Sequence, residues 1–188
     1  MQSFLISLST VAIAEMGDRT QLLSLMLAAR FRRPWPILAG VFFATVANHA
    51  VAALIGRRLG HVLTPRILDI AVGVSMIAMA LWTLKPDTLD EASAGVRRKG
   101  AFLATLVTFF IAEIGDKTQI ATIALAAAYP SLLAVVAGTT TGMLLANAPV
   151  IFFGKAFAAR LPLKPLRYVA SALFLGLGIF FLVRTPAA

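Results

Sequence analysis

Two short acidic motifs contain the residue types in this chain that are best suited to chemistry. The first reads Glu-Met-Gly-Asp-Arg-Thr-Gln at residues 15–21, and the second reads Glu-Ile-Gly-Asp-Lys-Thr-Gln at residues 113–119. Each motif lies inside a long apolar segment. A charge deep in such a segment costs several kcal/mol in a membrane unless it is paired or lines a wet cavity, so residues of this kind usually mark a functional site.

The motifs supply the oxygen ligands of a metal site. Their carboxylates stand three residues apart, which places them on one helical face, and a Gln three residues further on adds an amide oxygen. The predicted ligands are Glu15, Asp18, Gln21, Glu113, Asp116 and Gln119. Carboxylate and amide oxygens suit hard divalent cations such as Ca²⁺, Mg²⁺ or Mn²⁺.

Other polar residues have secondary roles in this interpretation. Two Asn residues fit either metal contact or interhelical hydrogen bonds. Two Thr residues fit either ligation or bonds to backbone groups freed at a neighbouring Gly. These possible additional ligands are Asn48, Asn147, Thr20 and Thr118. We expect Arg19 and Lys117 to balance charge, and Gly17 and Gly115 to act as hinges.

The charges of the two motifs indicate what the site could exchange. Four carboxylates against two cations leave a formal charge of −2, which one divalent cation neutralises. Without metal, crowded carboxylates favour proton uptake. Competition between metal and protons gives cation/proton exchange, although a uniport channel could use the same acids. A single motif would also fit a structural ion pair, whereas two matched copies favour a functional site.

The composition is that of an integral membrane protein. Of the 188 residues, 60% are hydrophobic and 13% are charged, whereas a soluble domain has about a quarter charged residues. The net charge of +9 comes from basic clusters between apolar runs, which indicates membrane topology rather than a nucleic-acid surface. The chain has no cysteine, which excludes disulfides and thiolate metal sites.

Basic and Pro/Gly-rich clusters divide the chain into six apolar segments, most of them near the ~20 residues that cross a bilayer. They run approximately over 3–29, 36–56, 66–84, 101–128, 131–154 and 166–183. The first and fourth are longer, and we expect them to tilt or to break near Gly17 and Gly115. The predicted fold is an all-α integral membrane protein with six transmembrane helices.

The halves of the chain repeat each other beyond the motifs. We expect one transmembrane domain made of a three-helix repeat at 1–84, a polar linker at 85–100 and a second three-helix repeat at 101–188. Because three is odd, the second repeat is inverted relative to the first. The connections on one side hold eleven basic residues and the other side holds four, so both termini are predicted outside and the linker in the cytoplasm.

The duplicated Glu-x-Gly-Asp-[Arg/Lys]-Thr-Gln motif resembles that of the small Golgi and bacterial GDT-type cation transporters, also called the second calcium/cation antiporter family. The resemblance covers nearly the whole chain. It implies manganese export, or calcium/manganese transport, in exchange for protons. It also implies that Glu15, Asp18, Glu113 and Asp116 form the metal site and that Gln21 and Gln119 participate.

The expected partners follow from this interpretation. They are a transported divalent cation (Mn²⁺ or Ca²⁺), protons and the lipid bilayer, with no permanently bound cofactor and no nucleic acid. The six-span form fits a bacterial inner (plasma) membrane. An oligomer is compatible with the sequence but is not derivable from it.

Two alternatives remain open at this stage. An exporter of a small cationic solute such as lysine would need a group that recognises a carboxylate, which Arg19 or Lys117 could supply. An intramembrane aspartyl protease also uses a Gly-Asp pair, but Glu15 and Glu113 stand where its signature has Gly, and its Tyr-Asp dipeptide is absent. We therefore predict a transporter and not an enzyme.

Overall fold

The computed structural model describes residues 1–85, 100–158 and 163–184, and these form helices joined by short connections, with no strand among them. In chain order the helices are α1 (Gln2–Glu15), α2 (Arg19–Phe31), α3 (Pro34–Val62), α4 (Pro65–Leu84), α5 (Ala101–Glu113), α6 (Lys117–Ala128), α7 (Leu132–Ala158) and α8 (Leu163–Val183). The all-helical prediction is confirmed for the described residues. The linker predicted at 85–100 lies almost entirely outside them.

Four helices, α3, α4, α7 and α8, are long and apolar enough to cross a membrane. The helices α1 and α5 are apolar but shorter. Large apolar side chains such as Leu81 and Phe153 are exposed on the helices, while Thr, Asn and acidic side chains are buried between them. A soluble protein shows the opposite arrangement, so this distribution fits a lipid environment.

The first and fourth predicted segments each break into two helices, as expected from their glycines. Gly17 has φ 84° and Gly115 has φ 74°, values that residues with a Cβ rarely adopt. The chain therefore ends α1 and α5, turns, and begins α2 and α6 within a few residues. The breaks place both motifs at helix ends inside the bundle, so the two carboxylates of each motif do not share one helical face as predicted, because a helix ends between them.

The helices pack across the two halves of the chain. The helix α1 lies against α7, α5 lies against α3, and α4 lies against α8. Close approach depends on glycine: a Cβ at Gly142 of α7 would stand 2.6 Å from the carbonyl oxygen of Leu8 in α1. Each broken helix is thus held by a long helix of the other half.

Helix α3 continues six residues beyond its predicted end at residue 56. Gly56 and Gly60 lie so close to α6 that a Cβ at either would collide with the carbonyl oxygen of Ile123 or Ala127. Arg57 and Arg58 point outward and are exposed. Packing on α6 therefore extends the helix through a basic stretch that hydropathy alone assigns to a connection.

Candidate metal site

The first break positions two acids of the first motif. Glu15 is the last residue of α1, and Asp18 is the N-cap of α2, where its carboxylate accepts a hydrogen bond from the Thr20 backbone N–H at 3.4 Å. Capping side chains satisfy backbone donors that a helix start leaves unpaired, and a negative charge there is favoured by the helix dipole. The local structure thus holds Asp18 at a buried helix start.

The second break repeats this geometry. Glu113 ends α5, and Asp116 caps α6 by accepting from the Thr118 N–H at 3.4 Å. The Asp116 N–H also donates to the Glu113 carbonyl at 3.2 Å, as the Asp18 N–H does to the Glu15 carbonyl at 3.1 Å. Both motifs are therefore the same structural unit.

The two units bring their acids together. Ligand oxygens of Glu15, Glu113 and Asp116 lie within 4.8 Å of one another, and all three residues are buried. Within the described part of the chain, one oxygen of Glu15 and one of Glu113, the Oε1 atoms, have no hydrogen-bond partner. Buried oxygens without partners are costly, and a cation between them would satisfy both.

The motif threonines orient the glutamates. The Thr20 hydroxyl donates to Oε2 of Glu15, and the Thr118 hydroxyl donates to Oε2 of Glu113 at 3.2 Å and to Asp116 Oδ2 at 3.4 Å. The sequence analysis also allowed these hydroxyls to bond to backbone groups left unpaired next to Gly17 and Gly115. Among the described hydrogen bonds, both hydroxyls bond to carboxylates instead. The hydroxyls prefer the carboxylates because a charged acceptor makes the stronger hydrogen bond.

The basic residue of each motif pairs with the aspartate of the other motif. Arg19 lies 3.0 Å from Asp116 and also donates to the carbonyl of Ala112 at 2.7 Å. Lys117 lies 2.6 Å from Asp18. The two ion pairs balance the aspartates, so the formal charge of −2 resides on Glu15 and Glu113.

In this conformation the glutamine amides form hydrogen bonds with backbone groups at the helix breaks. Oε1 of Gln21 accepts the Gly17 N–H at 2.9 Å, and its Nε2 donates to the Ala146 carbonyl at 2.7 Å. Oε1 of Gln119 accepts the Gly115 N–H at 2.7 Å. These amides therefore satisfy donors exposed by the turn, and their predicted role as ligands stays a prediction.

The two Asn residues make hydrogen bonds between helices. Asn48 in α3 donates to the Phe110 carbonyl of α5 at 3.1 Å. Asn147 in α7 accepts from the Ser24 hydroxyl of α2 at 2.7 Å. The sequence analysis did not single out Ser24. A signal for it exists in the repeat: the residue 98 positions later, Thr122, also carries a hydroxyl.

Comparison with known proteins identifies relatives of this chain by sequence. A family model described as "Divalent cation/proton antiporter GDT1" matches residues 3–91 and 101–187. A Vibrio cholerae protein named "Putative manganese exporter" is 51% identical over 93% of this chain and 88% of its own length. The GDT1-like protein sll0615 of Synechocystis is 27% identical over 93% of both chains.

A plant relative is similar over a smaller share of its length. Protein PAM71 of Arabidopsis thaliana, a chloroplast protein, is 30% identical over 88% of this chain and 52% of its own length. No solved structure matches the chain.

Proposed function

The chain belongs to the GDT1 family of divalent cation/proton antiporters, and we propose that it exports Mn²⁺, with Ca²⁺ as the second candidate, in exchange for protons. The observation that carries the proposal is the convergence of Glu15, Glu113 and Asp116 from both halves of the chain within 4.8 Å. Oxygen ligands suit both ions. The name of the Vibrio relative favours manganese.

The charge distribution supports exchange with protons. The ion pairs Arg19–Asp116 and Lys117–Asp18 balance two acids, so the remaining charge lies on Glu15 and Glu113. One divalent cation neutralises it, and so do two protons. Because a buried site with uncompensated charge is costly, the site alternates between the metal-bound and the protonated form. Asp18, Gln21 and Gln119 complete the proposed ligand set when the breaks rearrange.

Six spans in two inverted three-helix repeats give this site access to both sides. In this arrangement α1–α2 and α5–α6 are each one broken span, and broken spans at the middle of the membrane are the usual place for ion sites in transporters built from inverted repeats. The packing of α1 against α7 and of α5 against α3 supports this inverted-repeat arrangement. Rocking of the repeats exposes the site to one side at a time.

The distribution of the basic residues supports an orientation. We place the protein in a bacterial inner membrane with the α2–α3 end in the cytoplasm, because most of the Lys and Arg residues outside the motifs lie on that side. Both termini then face outward and residues 85–100 are cytoplasmic. Export carries the cation out of the cytoplasm while protons move in.

Transport in proteoliposomes with an internal pH dye tests the proposal. Gradients of Mn²⁺, Ca²⁺ and Mg²⁺ are imposed in turn on the unchanged protein, on Glu15→Gln and Glu113→Gln, and on Glu91→Gln as a matched control outside the motifs. We expect Mn²⁺-driven proton movement that is lost in the first two variants and kept in the control. Metal flux without proton movement would show a uniporter instead, and displacement of bound Mn²⁺ by lysine would favour a lysine exporter.

A further inference from the structure

A cavity of about 430 Å³ opens between the C-terminal end of α2 and the kinked end of α7, away from the carboxylate site. This volume is within the range of ligand-binding cavities. We call it the α2/α7 cavity; its lining includes Leu25, Ala28, Arg32, Arg33, Phe152 and Gly154. It lies at the α2–α3 end of the bundle, and its lining combines apolar residues of α2 and α7 with two arginines.

The matching place in the other half of the chain is closed. There α3 lies on α6, and a Cβ at Gly56 would stand 2.1 Å from the carbonyl oxygen of Ile123. Gly154 of α7 is 98 residues after Gly56, the same spacing as the motifs. It has φ 59°, and a Cβ there would meet nothing within 4 Å. The α3/α6 and α2/α7 interfaces, which we call the two seams, are equivalent in the repeat but differ in packing. The kink at Gly154 opens the α2/α7 seam.

The open seam carries positive charge. Arg32 and Arg33 are exposed, and within the described residues neither forms an ion pair with a carboxylate. Arg32 is the C-cap of α2 and has φ 53°, a left-handed conformation uncommon outside glycine. Two adjacent guanidinium groups repel a metal cation and suit a phosphate group, which they bind through several N–H donors.

The rim of the α2/α7 cavity is aromatic. Trp35 and Phe153 are each 70% exposed, and Trp35 packs edge-to-face on Phe152 at 5.2 Å between ring centres. Exposed aromatic rings next to basic residues are typical of the level of the lipid headgroups. We propose that this cavity binds an anionic phospholipid, with Arg32 and Arg33 on its phosphate and the apolar wall of α2 and α7 against its acyl chains.

The cavity also continues the seam that leads to the metal site. Along the same pair of helices, Gln21 donates to the Ala146 carbonyl and Ser24 donates to Asn147. A bound lipid thus holds α2 and α7 together at the end where no such hydrogen bond is described. The test below measures lipid binding with no transported ion present, so its outcome does not depend on the proposed transport.

Fluorescence of Trp35 tests the lipid site. The chain has two Trp residues, so a Trp82→Phe background leaves Trp35 as the reporter next to the cavity. The protein is reconstituted into vesicles with equal mole fractions of brominated phosphatidylglycerol or brominated phosphatidylcholine. We expect stronger quenching by the anionic lipid, reduced to the phosphatidylcholine level in Arg32→Gln/Arg33→Gln and kept in Arg32→Lys/Arg33→Lys.

The pair Arg57 and Arg58 provides a matched control, because these residues are also adjacent, exposed and at the other end of α3. Arg57→Gln/Arg58→Gln should keep the excess quenching. Equal quenching by the two lipids in the background protein would overturn the proposal, and so would an excess that survives in Arg32→Gln/Arg33→Gln or disappears in the control. If soluble glycerol phosphate at millimolar concentration removes the excess, the ligand is a free phosphate compound and the lipid proposal is wrong.

Discussion

The guanidinium of Arg19 lies 3.0 Å from a carboxylate oxygen of Asp116, a residue of the other half of the chain. The reciprocal pair joins Lys117 to Asp18 at 2.6 Å. Each motif therefore supplies a cation to the aspartate of the other motif. This exchange ties the two breaks into one unit and leaves Glu15 and Glu113 as the charge to be balanced.

The two ion pairs should differ in their contribution to stability. The Lys117 side chain is 3% exposed and that of Arg19 is 31% exposed. Removing the buried Lys117 leaves the Asp18 carboxylate uncompensated and out of reach of solvent, which costs about 3–5 kcal/mol, whereas removing the partly exposed Arg19 opens Asp116 to solvent, which screens the remaining charge. We expect Lys117→Met to lower the free energy of unfolding in detergent by about that amount, and Arg19→Met by clearly less. Lys117→Arg serves as the charge-retaining control, and equal losses in both Met variants would contradict the prediction.

Metal binding should weaken as the pH falls. Each carboxylate must be deprotonated to bind the cation, so protons compete with Mn²⁺. A ligand at 100 times its dissociation constant stabilises a protein by about 2.7 kcal/mol, and we expect Mn²⁺ to raise the melting temperature at pH 8 and to lose this effect towards pH 5. Thermal unfolding with and without Mn²⁺ measures it. Glu15→Gln should show no Mn²⁺ effect at either pH, and Glu91→Gln should behave as the unchanged protein; a pH-independent Mn²⁺ effect would argue against proton competition.

The turn at Gly115 should tolerate Asn better than Ala. Its φ is 74°, and a Cβ added there would meet nothing within 4 Å, so substitution costs only the backbone strain of a left-handed conformation, about 1–2 kcal/mol for Ala. Asn adopts this conformation more readily and should cost less. Gly176 of α8 also has open space but no positive φ, and Gly176→Ala should instead stabilise by roughly 0.5–1 kcal/mol. Unfolding free energies of the three variants decide this, and a Gly115→Ala protein as stable as Gly176→Ala would refute the strain argument.

If the two glutamines stabilise the helix breaks rather than bind a metal, substituting them should reduce stability by different amounts. Gln21 is buried and joins the Gly17 N–H to the Ala146 carbonyl, whereas Gln119 accepts from Gly115 at an exposed position. An unsatisfied buried polar group costs about 1–3 kcal/mol. We therefore expect Gln21→Leu to reduce stability by about this amount and Gln119→Leu by less. Mn²⁺ affinity measured on both variants is the contrasting readout: similar losses of affinity at unchanged stability would assign both amides to the metal instead.

The sequence predicted the parts of the site that depend on local chemistry. Glycine in the middle of an apolar segment predicted the breaks, and both were found at Gly17 and Gly115. The duplicated carboxylates predicted a meeting of the two halves, and Glu15, Glu113 and Asp116 do lie together. The role of Arg19 and Lys117 in balancing charge was also predicted, but not the partner of each.

Hydrogen-bond partners were the least predictable feature. The motif alone does not show that Gln21 accepts from Gly17, or that Thr20 donates to Glu15, because both hydroxyl and amide groups have several acceptors and donors within reach of a broken helix. Asn147 was assigned either to the metal or to a neighbouring helix, and its bond with Ser24 depends on α2 lying against α7. The hydrogen-bond partner of such a side chain depends on which helices pack against each other.

The sequence by itself determined the apolar segments, the position of the acids within them and the two helix breaks, since hydropathy, charge cost and backbone freedom are properties of short stretches of chain. Only the tertiary structure decided which cation faces which aspartate, and that Asp69 pairs with Arg184 at a separation of 115 residues. It also decided that the α3/α6 seam closes while the α2/α7 seam opens. These features depend on the distance between helices, which is set by the packing of the whole bundle.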